Sequence, residues 1–173
     1  MAEAGATAEG VSVYRVPEAA QIGHVHLKVA DLQRSIDFYH RILGFEVTAR
    51  MGQSAAFLSA GGYHHHIGLN TWESLGGKPP PAGTTGLYHL AIVYPTREAL
   101  SVAVRRVLEA KANFVGAADH GVSEAVYFED PDGNGVELYW DRPRAQWPHH
   151  PDGSIEMYTR QLDLRALLGS LSK

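Results

Sequence analysis

The sequence contains no cysteine, which excludes disulfides and thiolate metal ligands alike. No apolar run approaches the roughly 20 residues that a membrane-spanning helix needs. Basic excess is missing too. The 15 Lys and Arg against 19 Asp and Glu leave a formal charge of −4, which argues against a nucleic-acid partner. Met1 to Gly10 lack the basic start and apolar stretch of a secretory signal. A cytoplasmic location, with no membrane and no nucleic acid as partner, is the expectation. What the chain does have is ten histidines, so a transition metal would be held by nitrogen and oxygen.

At 173 residues, 45% of them apolar, the chain can build one sizeable domain or two half-size modules sharing a core. Residues 1–17 read as a disordered or extended tail closed by Pro17. From Ile22 to Val29 the pattern alternates, with Val25, Leu27 and Val29 on one face and His24, His26 and Lys28 on the other, which predicts a strand. Asp31 is placed to cap a helix running to about Leu43. Leu32, Ile36, Tyr39 and Leu43 form its apolar stripe, and Gly44 suits its end. Strand-like segments follow at Phe45 to Arg50, Ala55 to Ser59 and His65 to Thr71. A Gly- and Pro-rich connector spans Gly76 to Gly83.

The same order then recurs. Leu87 to Tyr94 reads as a strand, and Thr96 caps a helix with Leu100, Val104, Val107 and Leu108 on its stripe. Three more strands are expected at Phe114 to Ala117, Ala125 to Glu129 and Gly135 to Tyr139, the last after a tight turn at Asp130 to Asn134. Residues from about Leu162 to Leu171 suggest a short extra helix. Superposing His24 on His89 aligns the two halves at an offset of about 65 residues, the mark of a duplication and not of a solenoid. The predicted class is α+β, with two βαβββ modules (about 20–75 and 85–142) forming curled mixed sheets around a metal pocket. Residues 18–150 form the paired domain, and 151–173 a C-terminal extension. The sheets are expected to pack edge to edge.

His24 and His89 hold equivalent places near the start of each first strand. One strand histidine is usually structural, but a pair related by the duplication could meet in a shared cavity. Glu137 is an acid flanked by apolar residues, and a buried carboxylate needs a cation or a strong donor beside it. Alternatively it faces solvent. Together the three make a two-histidine, one-carboxylate set that leaves metal positions open to substrate. Trp72, Trp140 and Trp147, with Tyr139, could line an aromatic pocket or serve as core. Asp132 and Asn134 are read as turn chemistry without further function.

From about Ile22 to Trp147 the sequence resembles the vicinal oxygen chelate superfamily of glyoxalases, fosfomycin resistance proteins and extradiol dioxygenases. The residues that carry this are Gly23-His24, Asp31-Leu32, Ser35 to Tyr39, Leu43 to Phe45, Tyr88 to Ile92, Tyr127-Phe128, Asp130 to Asn134 and Val136 to Leu138. Asp119 to Ala125 and Glu137 to Pro143 resemble, more narrowly, proteins grouped with catechol 2,3-dioxygenases. The resemblance places metal ligands at His24, His89 and Glu137. It gives Tyr127 a contact with the substrate oxygen and His120 an acid/base role, against a core-facing aromatic and an inert loop histidine. His64, His65 and His66 stand where glyoxalases keep an extra ligand. An exposed cluster is the competing reading, with His66 the exception expected to look inward.

The activity implied is extradiol cleavage of a catechol-type substrate with dioxygen. Fe(II) is the divalent metal expected first, with Mn, Zn or Ni as substitutes. Two alternatives stand beside it: a glyoxalase-like lyase or isomerase using Zn or Ni, and a non-catalytic module that binds a small aromatic ligand. A homodimer is compatible with each.

Overall fold

A computed structural model describes residues 14–169. The first half forms β1 (Val25–Lys28), α1 (Leu32–Ile36), β2 (Glu46–Met51), β3 (Ala55–Ser59) and β4 (Ile67–Asn70). The second half forms β5 (His89–Val93), α2 (Arg97–Glu109), β6 (Asn113–Asp119), β7 (Ser123–Glu129) and β8 (Gly135–Asp141). β9 (Arg160–Gln161) and α3 (Leu164–Gly169) follow. Each half is a βαβββ module. The sheets run β1-β4-β3-β2 and β5-β8-β7-β6-β9. In both, the first strand lies parallel to the fourth and the remaining pairs are antiparallel.

Local chemistry accounts for the elements. Asp31 accepts the Arg34 N–H at 3.0 Å to open α1, and Thr96 accepts the Ala99 N–H at 3.1 Å to open α2. After Ile36 the first helix widens into a π turn, Asp37–Ile42, which ends at Gly44 with φ of +89°. The wider turn rotates the stripe, so that Phe38 joins Leu32, Ile36 and Tyr39 in the buried set. β2 and β6 each carry a bulge at matching places, between Val47 and Ala49 and between Phe114 and Gly116. A bulge adds twist and bend to its strand, so both copies of the module curl at the same point.

The halves share one core. Leu27, Val29, Ile36, Leu58 and Leu69 of the first join Leu100, Val104, Val107, Val126 and Leu138 of the second in a single apolar cluster. A polar joint reinforces it. The Asp130 carboxylate accepts the N–H groups of Asp132 and Asn134 inside its own turn, and the Tyr39 hydroxyl of the first module at 2.9 Å. Asp132 accepts from the Ala30 N–H at 3.2 Å, the Ser35 hydroxyl at 3.2 Å and the Arg34 guanidinium. Asp132 is therefore more than turn chemistry: from the second module it binds the backbone ahead of α1 and two side chains on the helix.

This joint departs from the edge-to-edge packing expected from the sequence. β1 is hydrogen-bonded to β4 and β5 to β8, and the two sheets are not closed on one another. Helices and core occupy one face of each sheet. The other faces carry the exposed His24, His26 and Lys28 in the first module and the exposed Ala91 and Val93 in the second. No helix among the described residues is long and apolar enough to cross a membrane.

Candidate metal centre

His89 opens β5 opposite Gly135, and Ala91 lies opposite Glu137. A Cβ at Gly135 would stand 2.3 Å from the Tyr88 carbonyl oxygen and 2.9 Å from the His89 Cβ. Only a glycine lets the two strands close on that register. Val136 and Leu138 point into the core, so the period of two turns Glu137 to the opposite face. There His89 Nε2 lies 2.9 Å from Glu137 Oε2. Two cis ligands at about 2.1 Å from a divalent ion stand about 3 Å apart, so the spacing fits a shared ion. The other ring nitrogen of His89, Nδ1, is buried without a partner. Imidazole and carboxylate donors suit a borderline divalent metal.

Tyr127 sits opposite Glu137 on β7, and its hydroxyl lies 3.1 Å from Glu137 Oε1. Burial first, and then the neighbouring Glu137 charge, push the Tyr127 phenol well above its ordinary range. His120, on the turn between β6 and β7, brings Nε2 to 2.7 Å from the same hydroxyl. Its Nδ1 lies 2.9 Å from the Tyr158 carbonyl oxygen. His89, Glu137, Tyr127 and His120 thus form one continuous run of polar contacts. The phenol has a single proton, so Tyr127 donates to His120 or to Glu137 at any moment, never to both.

His24 stands one residue ahead of β1 and is exposed. Its ring centroid is 4.4 Å from that of His65. His65 in turn has its Nδ1 2.7 Å from His64 Nδ1. Burial, then the nearby His24, lower the His65 pKa, and the same two causes lower that of His26. It is His65, not His66, that meets His24. His66 Nδ1 is taken up by Ser59 Oγ at 3.0 Å and by the Ala60 N–H at 3.3 Å. Within one chain, then, His89 and Glu137 come together and His24 lies elsewhere. Among the described residues no group of three or more His, Asp or Glu side chains is gathered to hold a metal ion.

The tryptophans have separate surroundings. Trp72 is exposed beside His26, Trp140 packs against the core, and Trp147 donates to the Arg142 carbonyl at 2.7 Å. A cleft of about 710 Å³ opens at the module joint, lined by Asp31, Arg34, Lys78 and Asp132; its lining includes none of the His89 group.

Three residues to which the sequence reading gave no role frame His120. Arg142 donates to Asp119 Oδ1 at 2.9 Å and to Glu124 Oε1 at 3.0 Å, and Glu124 accepts from Arg97 Nε at 2.7 Å. Asp119 and Glu124 bracket the His120 turn, so Arg142 ties both ends of it. Two acids facing each other across the ends of β6 and β7 gave no hint of a guanidinium arriving from beyond β8.

Comparison with known proteins places the chain in a family. The chain is 39% identical over 153 residues to the catechol-2,3-dioxygenase of Bacillus subtilis, a match covering 88% of this chain and 53% of that one. It is 34% identical over 128 residues to the metapyrocatechase of Geobacillus stearothermophilus, covering 72% of this chain and 36% of that one. The chain therefore spans about half the length, or less, of these relatives. A crystal structure of a glyoxalase/dioxygenase from Nostoc punctiforme shares the fold with a TM-score of 0.62 at 24% identity, over 78% of this chain and all of that one. The sequence pattern of one family covers residues 21–138, both modules entire but for the last residues of β8. The chain belongs to the Glyoxalase/Bleomycin resistance protein/Dioxygenase superfamily.

Proposed function

We propose that this chain is an extradiol dioxygenase subunit that opens the ring of a catechol-type substrate with dioxygen. The observation carrying the reading is the unbroken run from His89 through Glu137 and Tyr127 to His120. It sets a ligand pair beside a phenol and an acid/base group on one sheet face. The similarity to two catechol-cleaving relatives supports the substrate class.

His89, Glu137 and His24 are the residues that would hold the metal, Fe(II) first among the candidates. When bound, such an ion acts as Lewis acid and as a template for two reactants. Because His24 stands apart within the chain, we assign it to the site of a second copy, whose first sheet would face this chain's second sheet. The chain's own groups do the rest. Tyr127 holds a substrate oxygen by hydrogen bond, a neutral donor kept so by its raised pKa. His120 accepts a diol proton at Nε2 and returns it to the product. Both atoms of dioxygen end in the ring-opened product, so no reductant is needed.

Anaerobic loading with Fe(II), followed by oxygen uptake against catechol and substituted catechols, tests the reading. One oxygen consumed per ring opened is the expected result. Turnover with Zn or Ni and no oxygen consumed would instead move the protein to the lyase class. Tight binding of an aromatic without turnover on any metal would make it a binding module.

A further inference from the structure

We propose that the segment after β8, residues 148–161, is a positioning element that fixes the proton of His120 on Nδ1 and leaves Nε2 as the acceptor facing Tyr127. The inference rests on the reading that His120 and Tyr127 serve the reaction. The key contact is the 2.9 Å approach of His120 Nδ1 to the Tyr158 carbonyl oxygen. A carbonyl only accepts, so this nearer contact calls for hydrogen on Nδ1, and the Thr159 hydroxyl, 3.3 Å from the same nitrogen, can then serve as a second acceptor. A neutral ring then presents a lone pair at Nε2, 2.7 Å from the Tyr127 hydroxyl.

The segment is built to hold that carbonyl in place. β9 continues the second sheet by pairing with β6, Asp119 opposite Arg160 and Ala118 opposite Gln161. The Tyr158 N–H returns a bond of 3.3 Å to the His120 carbonyl. Next to His120, Gly121 has φ of +80°, and a Cβ there would lie 2.7 Å from the Tyr158 ring and 2.9 Å from Pro148. The turn is thus lodged between an aromatic ring and a proline. The Glu156 N–H donates to the Pro148 carbonyl at 2.9 Å, which brings Pro148 back alongside. The Arg160 guanidinium lies 4.0 Å over the other partner, the Tyr158 ring. Beyond β9 the chain is anchored by Leu162 and Leu167 in the core, and Arg97 and Arg105 of α2 donate to the Ala166 and Leu168 carbonyls. None of these groups needs to touch substrate. Their shared effect is to choose which nitrogen of one imidazole is protonated.

The test is long-range proton–nitrogen NMR on full-length, metal-free protein with labelled histidine, in mildly alkaline buffer, with His120 assigned by its loss in His120→Asn. The expected result is a ring protonated at Nδ1 alone. Protonation at Nε2 alone, or at both nitrogens, overturns the proposal. Tyr158→Ala is expected to mix the tautomers and lower kcat by about tenfold or more, with KM and metal content held. Tyr158→Phe, which keeps the ring, is expected to behave as wild type. A wild-type tautomer in Tyr158→Ala would also overturn the proposal. The tautomer is read without metal or substrate, so it stands or falls apart from the reaction class.

Discussion

At Gly135 a Cβ would stand 2.3 Å from the Tyr88 carbonyl, while at Gly116 it would meet nothing within 4 Å. Gly135→Ala is therefore expected to push β5 from β8 and separate His89 from Glu137. Metal content and thermal stability should both fall, whereas Gly116→Ala, a matched control on β6, should change neither. Equal metal binding by the two variants would show that the close approach does not set the ligand pair. His120→Ala should lower turnover about a hundredfold with metal retained, and Tyr127→Phe by less, because only one hydrogen bond goes. Single-turnover kinetics beside metal analysis would check the order. How legible each residue was depended on whether a side chain carries its role. Glu137 stood out as an acid among apolar neighbours, and the duplication marked His24 and His89. Tyr158 acts through its backbone carbonyl, 38 positions from His120, and no residue type announces a carbonyl.

Among the elements, the tie between α1's π turn and the β7–β8 turn has a pH signature. Burial, then Asp130, hold the Tyr39 phenol well above its ordinary value, and burial, then Glu137, do the same for Tyr127. An unfolded tyrosine titrates near about 10. The folded chain thus binds these protons more tightly. Their contribution is fully present below about pH 10 and is lost as pH rises through the raised values. Urea midpoints should hold through the neutral range and fall above about pH 10, less steeply in Tyr39→Phe. An identical alkaline slope in that variant would rule Tyr39 out as a cause. The strands, both N-caps and the end at Gly44 could be read from the sequence because each rests on local chemistry. The π turn and the paired bulges could not, since only packing against the other half decides where a helix widens or a strand gains a residue. β9, two residues long, exists because β6 offers it an edge.

For the whole molecule, the duplication predicted two modules correctly, but how they join depends on surfaces that no repeat reveals. The joint through Asp130 and Asp132 leaves the metal-ligand faces uncovered by each other, and this motivates sharing between copies. Mixing His24→Ala with His89→Ala chains tests it. A shared site predicts that each mixed dimer holds one intact site, so metal and activity reappear from two inactive parents. Ligands drawn from one chain predict no recovery at any mixing ratio. The same joint bears on how the protein is made. The Ala30 N–H finds its acceptor in Asp132, 102 positions later, and Tyr39 finds Asp130 after 91. The residue leading into α1 and the π turn that follows it are thus both tied to a turn late in the second module. On the ribosome α1 is capped at once by Asp31, but the Ala30 N–H and the Tyr39 hydroxyl must wait for their acceptors until nearly all of the second module is synthesised. The first module thus emerges complete in its strands and helix, yet without the polar joint that ties it to its twin.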